Sequence, residues 1–190
     1  MRLKNSANAY GLVSISIHWI VALVVFSMFG VGLWMVELGY YDTWYHKAPA
    51  LHKSVGIILF ATMVFRVLWR LFTRQPKSVA THSAFIRFAA KAGHLVIYLM
   101  LFGIMVSGYL ISTADGVGIP VFGMFEVPAL IYGIYGLPDQ ADIAGEVHLY
   151  LAWGLMAVVA GHALAALKHH WIDKDITLVR MFGRSIRKNK

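Results

Sequence analysis

Two histidines, His148 and His162, lie 14 residues apart in the last long apolar stretch of the chain, residues 144–167. In an α-helix this spacing is close to four whole turns, so both imidazoles face the same side. At 1.5 Å per residue they stand about 21 Å apart along the helix axis. An ionisable side chain in a membrane span is costly and is usually functional. The spacing therefore predicts a helix that holds two cofactors at two depths.

Two more histidines match these depths on other apolar stretches. His18 lies near the beginning of the first stretch and His52 at the beginning of the second. With antiparallel neighbouring helices, His18 reaches the depth of His162, and His52 the depth of His148. Imidazole is the usual axial ligand of haem iron, and facing helices of a bundle hold such cofactors. We predict two b haems, bound by His18 with His162 and by His52 with His148.

Other roles for these four histidines are weaker interpretations. A single buried histidine in a membrane helix often only hydrogen-bonds a neighbour. Neither depth offers a four-ligand tetrahedral set for zinc. The central thirds of the apolar stretches contain no acidic residue for a proton or ion relay. Four histidines matched in depth favour haem over each alternative.

Composition places the chain in a membrane. Of its 190 residues, 59% are hydrophobic and only 14% are charged. The absence of cysteine excludes disulfides, thiolate-bound iron–sulfur clusters and covalently attached c-type haem, so a haem must bind non-covalently. The net charge of +8 comes from basic residues at the ends of apolar stretches, which indicates membrane lipid rather than nucleic acid as the partner.

Hydropathy predicts an all-α membrane protein with four transmembrane helices in one bundle. A single membrane domain is expected over 1–190, with spans at about 14–36, 51–72, 89–113 and 144–168. The connection 114–143 has too many glycines and prolines for a fifth span, and we expect an interfacial or re-entrant cap there. A basic tail follows at 172–190.

The distribution of charge predicts the orientation. With four spans, 15 of the 17 lysines and arginines share one side with both termini, and seven of the nine acidic residues lie on the other. Cytoplasmic loops carry the excess of lysine and arginine. Both termini are therefore predicted to be cytoplasmic, and the connection 114–143 periplasmic.

Several basic residues near the predicted ligands are candidates for the haem propionates. Arg66 and Arg70, at the cytoplasmic end of the second span, suit the inner haem, and Lys53 suits the outer one. All three could instead only anchor the helix ends in the lipid leaflets. His94 lies at the cytoplasmic depth and could replace His18 as a ligand, contact a propionate or contact a quinone; we favour the last two roles.

Four sequence motifs resemble the bacterial cytochrome b561 family. They are SIHW around His18, LHKSVG around His52, GHLVIYLMLFGIMVSGYLIS in the third span, and EVHLYLAWG with GHALAALKHHWIDKD in the fourth. The likeness covers roughly residues 8–181. More distantly the chain is similar to the cytochrome b subunits of formate dehydrogenase and nickel–iron hydrogenase.

The resemblance implies a four-helix inner-membrane oxidoreductase in which two b haems exchange electrons with quinone. It implies that His18 and His162 bind the cytoplasmic haem, and His52 and His148 the periplasmic haem. The family includes a superoxide oxidase, so we expect electron transfer from a periplasmic one-electron donor, with superoxide as one candidate, to ubiquinone. The alternative is a membrane anchor and electron conduit for a partner dehydrogenase or a periplasmic redox protein.

Quinone reduction also needs protons, so titratable groups near the cytoplasmic face become candidates. They are His94, Lys168, His169, His170 and Lys174. His169 and His170 could equally be interface anchors beside Trp171. The two remaining histidines, His46 and His82, are in loops and are expected to be solvated.

Overall fold

The computed structural model describes residues 2–79, 82–133 and 139–183. Over these residues the chain forms five helices and one two-stranded antiparallel sheet. In chain order the elements are α1 Leu12–Met35, α2 Lys47–Phe72, α3 Ala84–Thr113, β1 Ile119–Val121, β2 Phe125–Val127, α4 Gln140–Trp171 and the short α5 Thr177–Arg180.

The first four helices are each long and apolar enough to cross a membrane. They contain 24 to 32 residues, and the mean hydropathy of their best windows is 1.7 to 2.3. Little of each window is buried inside the protein, and side chains such as Leu23 and Leu164 are 71% and 66% exposed. A helix satisfies its backbone hydrogen bonds internally, so these apolar surfaces suit lipid. The structure thus has the four candidate spans predicted from hydropathy.

All four long helices begin earlier than the predicted spans, and polar residues support the first turns of α3 and α4. α3 begins at Ala84, and the hydroxyl of Ser83 accepts a hydrogen bond from the Ile86 N–H, as an N-cap does. α4 begins at Gln140, whose side-chain amide donates to the Leu110 carbonyl. Asp142 lies in the first turn of α4, where a negative charge is favourable.

The chain divides into two compact units, and each of the four long helices contributes one part to each unit. Unit 1 contains 2–21, 62–79, 82–98 and 156–183, and unit 2 contains 22–61, 99–133 and 139–155. The single domain over 1–190 stays a prediction.

The connection between α3 and α4 contains a small hairpin within unit 2. β1 and β2 pair in antiparallel register, with Ile119 opposite Val127. Ile119 and Val121 are buried. The hydroxyl of Ser54 on α2 accepts a hydrogen bond from the Phe122 N–H at 3.1 Å and lies 3.3 Å from the Pro120 carbonyl oxygen. The hairpin is therefore fixed to the helix that carries His52.

The segment after the hairpin is fixed to α3. The hydroxyl of Tyr109 donates to the Pro128 carbonyl at 2.9 Å, and that of Thr113 donates to the Ile131 carbonyl at 3.0 Å. The predicted cap is thus a folded hairpin followed by a bonded segment. The part of the predicted cap at 134–138 lies outside the described residues.

Replacing Ser54 by alanine should loosen the hairpin. The change removes the hydroxyl partner of the Phe122 N–H, and such a hydrogen bond contributes about 0.5–1.5 kcal/mol. We expect limited proteolysis of the 114–139 connection in detergent to be about tenfold faster. Ser112→Ala is the control, because that hydroxyl donates to the Gly108 carbonyl of its own helix. Equal cleavage rates for both variants would contradict the role of Ser54.

Candidate paired-histidine sites

In unit 2, α2 and α4 bring His52 and His148 together. Their ring centroids are 6.3 Å apart. Imidazole nitrogens bind a first-row metal ion at about 2 Å, so two rings on opposite sides of one ion have centroids about 6 Å apart. The separation fits two axial ligands of one haem iron.

The hydrogen bonds of His148 are those of a typical metal ligand. Its Nδ1 lies 2.9 Å from the Ile104 carbonyl oxygen and 3.3 Å from the Ser107 hydroxyl. A carbonyl only accepts, so Nδ1 carries the proton and Nε2 keeps a free lone pair. Metal-binding histidines nearly always donate their second ring N–H in this way. His52 has a buried Nδ1 without a hydrogen-bond partner among the described residues.

Two glycines leave room for these rings. A Cβ added at Gly108 would lie 3.1 Å from Cε1 and 3.3 Å from Nδ1 of His148. A Cβ at Gly32 would lie 3.5 Å from Cε1 of His52. Any side chain at 108 would press on the ring that bonds Ile104. Gly108 therefore helps to position His148, a role that the sequence analysis did not assign.

In unit 1, three histidines converge. The ring centroids of His18 and His162 are 6.5 Å apart, close to the separation in the other pair. His94 is nearer, with its centroid 5.2 Å from that of His162. The Nδ1 of His94 lies 2.5 Å from the Ala90 carbonyl oxygen, which leaves its Nε2 free. The distance favours His18 as the partner of His162, whereas the hydrogen-bond pattern would also suit His94 as a ligand.

Arg66 contacts one of these rings directly. Its Nη2 lies 3.2 Å from Nδ1 of His18, and its Nε donates to the Tyr98 hydroxyl at 2.9 Å. A guanidinium only donates, so this contact makes Nδ1 of His18 an acceptor. No sequence pattern predicts a role for Tyr98, which holds the arginine. Arg70 follows one turn later and is exposed, and in unit 2 Lys53 is half-buried beside His52.

The end of α4 holds a second group of predicted residues in unit 1. Nδ1 of His169 lies 2.6 Å from Oδ2 of Asp173, and Lys168 donates to both oxygens of that carboxylate. The Lys168 ammonium holds the pKa of Asp173 below its usual range. Lys174 is exposed and has a φ of +50°, in the left-handed region. These contacts make His169 part of an ionic cluster.

His170 faces a different environment. Its Nδ1 is buried and, among the described residues, has no hydrogen-bond partner. The residue lines a cavity of about 400 Å³ together with Leu178, Val179 and Phe182. A cavity lined by apolar side chains and one imidazole is suited to a ligand with a hydrogen-bonding group.

The prediction that His82 is solvated is wrong, whereas His46 is exposed as expected. The side chain of His82 is only 13% exposed, and its Nε2 lies 2.6 Å from Oδ2 of Asp175. Burial opposes the charge of Asp175, but hydrogen bonds from Thr177 and His82 outweigh it and hold the pKa of this carboxyl below its usual range. No local pattern marks His82, because its partner lies 93 residues away.

Comparisons with known proteins cover nearly the whole chain. The family model described as prokaryotic cytochrome b561 matches residues 9–184. Cytochrome b561 homolog 2 of Escherichia coli K12 is 52% identical over 185 residues, which are 97% of each chain. The probable superoxide oxidase CybB of Yersinia pestis is 34% identical, covering 92% of this chain and 96% of the relative. Cytochrome b561 homolog 1 of Escherichia coli K12 is 25% identical over 93% of this chain and 98% of its own.

Replacing Gly108 by alanine should weaken the binding of the haem predicted at His52 and His148. The added methyl group displaces the His148 ring, and changes next to metal ligands cost about 10–100-fold in affinity. Haem titration of the apoprotein, followed by absorbance, measures the loss. Gly145→Ala on α4 is the control, since a Cβ there meets nothing within 4 Å. Unchanged haem affinity in Gly108→Ala would overturn the positioning role.

Proposed function

The chain belongs to the prokaryotic cytochrome b561 family, and on this basis we propose that it carries single electrons through two b haems between a periplasmic donor and ubiquinone. Membership and the four candidate spans make it a multi-pass protein of the bacterial inner membrane that uses b-type haem in transmembrane electron transfer. What we propose beyond this is the number of haems, their ligands, the electron donor and the electron acceptor.

The main support for the proposal is that two pairs of histidine rings have nearly the same separation. His18 and His162 lie 6.5 Å apart in unit 1, and His52 and His148 lie 6.3 Å apart in unit 2, measured between ring centroids. We assign the first pair to the cytoplasmic haem and the second to the periplasmic haem. A b haem held by two imidazoles supplies one-electron transfer and has no open position for dioxygen.

Proton positions on the histidines follow from this assignment. His148 already has its proton on Nδ1, so its Nε2 is ready to bind iron. In His18 the contact with Arg66 makes Nδ1 an acceptor, which leaves the proton on Nε2. Binding iron through Nε2 of His18 requires that proton to move to Nδ1 and Arg66 to turn away. The propionates of the inner haem would offer Arg66 a new hydrogen-bond acceptor, and Arg70 is a second candidate to bind them. Lys53 would bind the propionates of the outer haem.

Superoxide is our first candidate for the donor. A relative that is 34% identical over 92% of this chain is named a probable superoxide oxidase. In the predicted topology the periplasmic side carries seven acidic residues and only two basic ones, Lys47 and Lys53. This net negative charge would slow the capture of the superoxide anion. A superoxide-dependent reaction would therefore be steered by local groups near the outer haem, such as Lys53.

The quinone would bind at the end of α4 in unit 1. The cavity lined by His170 and three apolar side chains fits an apolar ring that carries a carbonyl oxygen. His94 and His169, with Lys168 and Lys174, remain candidates for supplying protons to the reduced quinone. Of these, His169 and Lys168 already share a carboxylate, that of Asp173.

An anchor and electron conduit for a partner protein is the second candidate function. The hairpin and the segment after it expose large apolar side chains: Phe122, Met124, Phe125, Leu130, Ile131 and Tyr132. Exposed apolar patches often mark interaction surfaces. A stoichiometric partner that co-purifies would favour this function, whereas superoxide-driven reduction of ubiquinone by the isolated chain would favour the first.

Removing each predicted ligand should remove one haem. Pyridine haemochrome analysis of the purified protein is expected to give about two b haems per chain, one for each imidazole pair. His52→Ala and His148→Ala should each keep only the haem at His18 and His162. Haem-free protein that is properly folded would overturn the proposal.

Alanine substitutions in unit 1 distinguish between the two possible partners of His162, namely His18 and His94. His18→Ala and His162→Ala should lose the other haem, whereas His94→Ala should keep both with an unchanged low-spin spectrum. His46→Ala is the control for histidine removal, since His46 is exposed. Loss of a haem in His94→Ala with retention in His18→Ala would exchange the roles of these two residues.

His170→Ala should impair the reaction with quinone and leave the haems intact. A lost hydrogen bond of about 1.4 kcal/mol to the substrate lowers kcat/KM for ubiquinone about tenfold. Stopped-flow oxidation of the reduced protein by a soluble ubiquinone analogue measures this change, with His46→Ala as the control. Unchanged quinone kinetics in His170→Ala would place the quinone site elsewhere.

A further inference from the structure

Two histidines and one carboxylate of unit 1 converge outside the paired-histidine sites. Oδ2 of Asp175 lies 2.6 Å from Nε2 of His82 and 3.5 Å from Nδ1 of His169. One ligand atom from each of the three residues lies within 4.8 Å of the others. We propose that His82, His169 and Asp175 form a binding site for a divalent transition-metal cation of the zinc class.

The donor set suits such a cation. Zinc prefers histidine nitrogens and carboxylate oxygens, and sites with three protein ligands complete their tetrahedron with water. Magnesium and calcium prefer oxygen ligands alone, so two imidazoles select against them. All three side chains are largely withdrawn from solvent, with exposed fractions of 13% for His82, 15% for His169 and 6% for Asp175.

Contacts around Asp175 hold its carboxylate in position. Oδ1 accepts a hydrogen bond from the Thr177 N–H at 2.7 Å, which leaves Oδ2 directed to the histidines. The N–H of Asp175 donates to the His169 carbonyl at 2.9 Å, so the backbone itself joins two of the ligands. Lys174 has a left-handed φ of +50°, which turns the backbone so that Asp175 comes back to His169. Such outer contacts orient ligands in known metal sites.

One existing contact must change when the cation binds. Nδ1 of His169 also lies 2.6 Å from Oδ2 of Asp173 and would exchange this carboxylate for the metal. Asp173 does not become unpaired, because Lys168 donates to both of its oxygens at 2.9 and 2.7 Å. His82 likewise exchanges its hydrogen bond with Asp175 for a shared cation. The cluster can therefore take up the metal without leaving a buried charge unpaired.

Without a metal, the same residues would form only a hydrogen-bonded cross-link. In both cases they join the segment before α3, the last turn of α4 and the segment before α5. The two possibilities differ in one measurable property, namely whether the protein retains a transition metal in addition to its iron.

Zinc binding to the purified holoprotein tests the proposal. Chelator-treated protein is equilibrated with micromolar Zn²⁺, freed of excess metal, and analysed by mass spectrometry for zinc and iron. We expect one zinc per chain, and at least a tenfold loss of affinity in His82→Ala and in Asp175→Asn. His46→Ala should bind zinc as the unaltered protein does. An unchanged haem spectrum and gel-filtration profile establish that each variant is folded.

Two results would overturn the site. One is the absence of retained zinc in the unaltered protein, which would leave a plain hydrogen-bonded cluster. The other is equal zinc affinity in Asp175→Asn and the unaltered protein, which would assign the bound metal to other residues. Asp175→Asn keeps the shape and the Thr177 contact of the side chain, so it serves where His82→Ala does not fold.

Discussion

The main physical constraint on this structure is the free-energy cost of placing an imidazole ring in an apolar membrane helix. Lipid offers an imidazole in a span no hydrogen-bond partner, so any partner must come from the protein itself. His148 finds the Ile104 carbonyl and Ser107, and His94 finds the Ala90 carbonyl. These bonds fix which nitrogen remains available. The hydrogen bond that lowers the cost of burying the histidine thus also determines which ring nitrogen could bind a metal ion.

The cap formed by residues 114–133 meets a similar constraint with backbone groups. Its strands have only three residues each, too few to stand alone, so hydroxyl groups of the long helices satisfy the polar atoms around them. Ser54, Tyr109 and Thr113 do this from α2 and α3. The helix carrying His52 is thereby joined to the hairpin through Ser54.

Much of the fold follows from patterns that operate over short distances in the chain. Hydropathy indicates four spans, and four candidate spans are present. The resemblance drawn from motifs around His18, His52 and His148 is confirmed by the family model. Depth matching brings together two pairs that the structure also brings together, although their role as ligands stays a prediction. The hairpin was not predicted, since three-residue strands between glycines and prolines have no measurable periodicity.

Other features depend on contacts between distant residues and could not be predicted. His82 is one residue in a polar loop, and only the folded C-terminal segment gives it a carboxylate. Tyr98 is an ordinary aromatic residue of a span until Arg66 reaches it from another helix. The cavity beside His170 requires the turn that brings back Val179 and Phe182. In each case the partner is set by tertiary structure.

Both histidine pairs draw one member from α4, and this has a consequence for biosynthesis. His148 and His162 are the last of the paired residues to be translated, and neither pair exists while only the first three helices have entered the membrane. If the paired rings hold haem as proposed, loading of the haem is therefore a late event. The fourth long helix must be translated before either pair of rings can form.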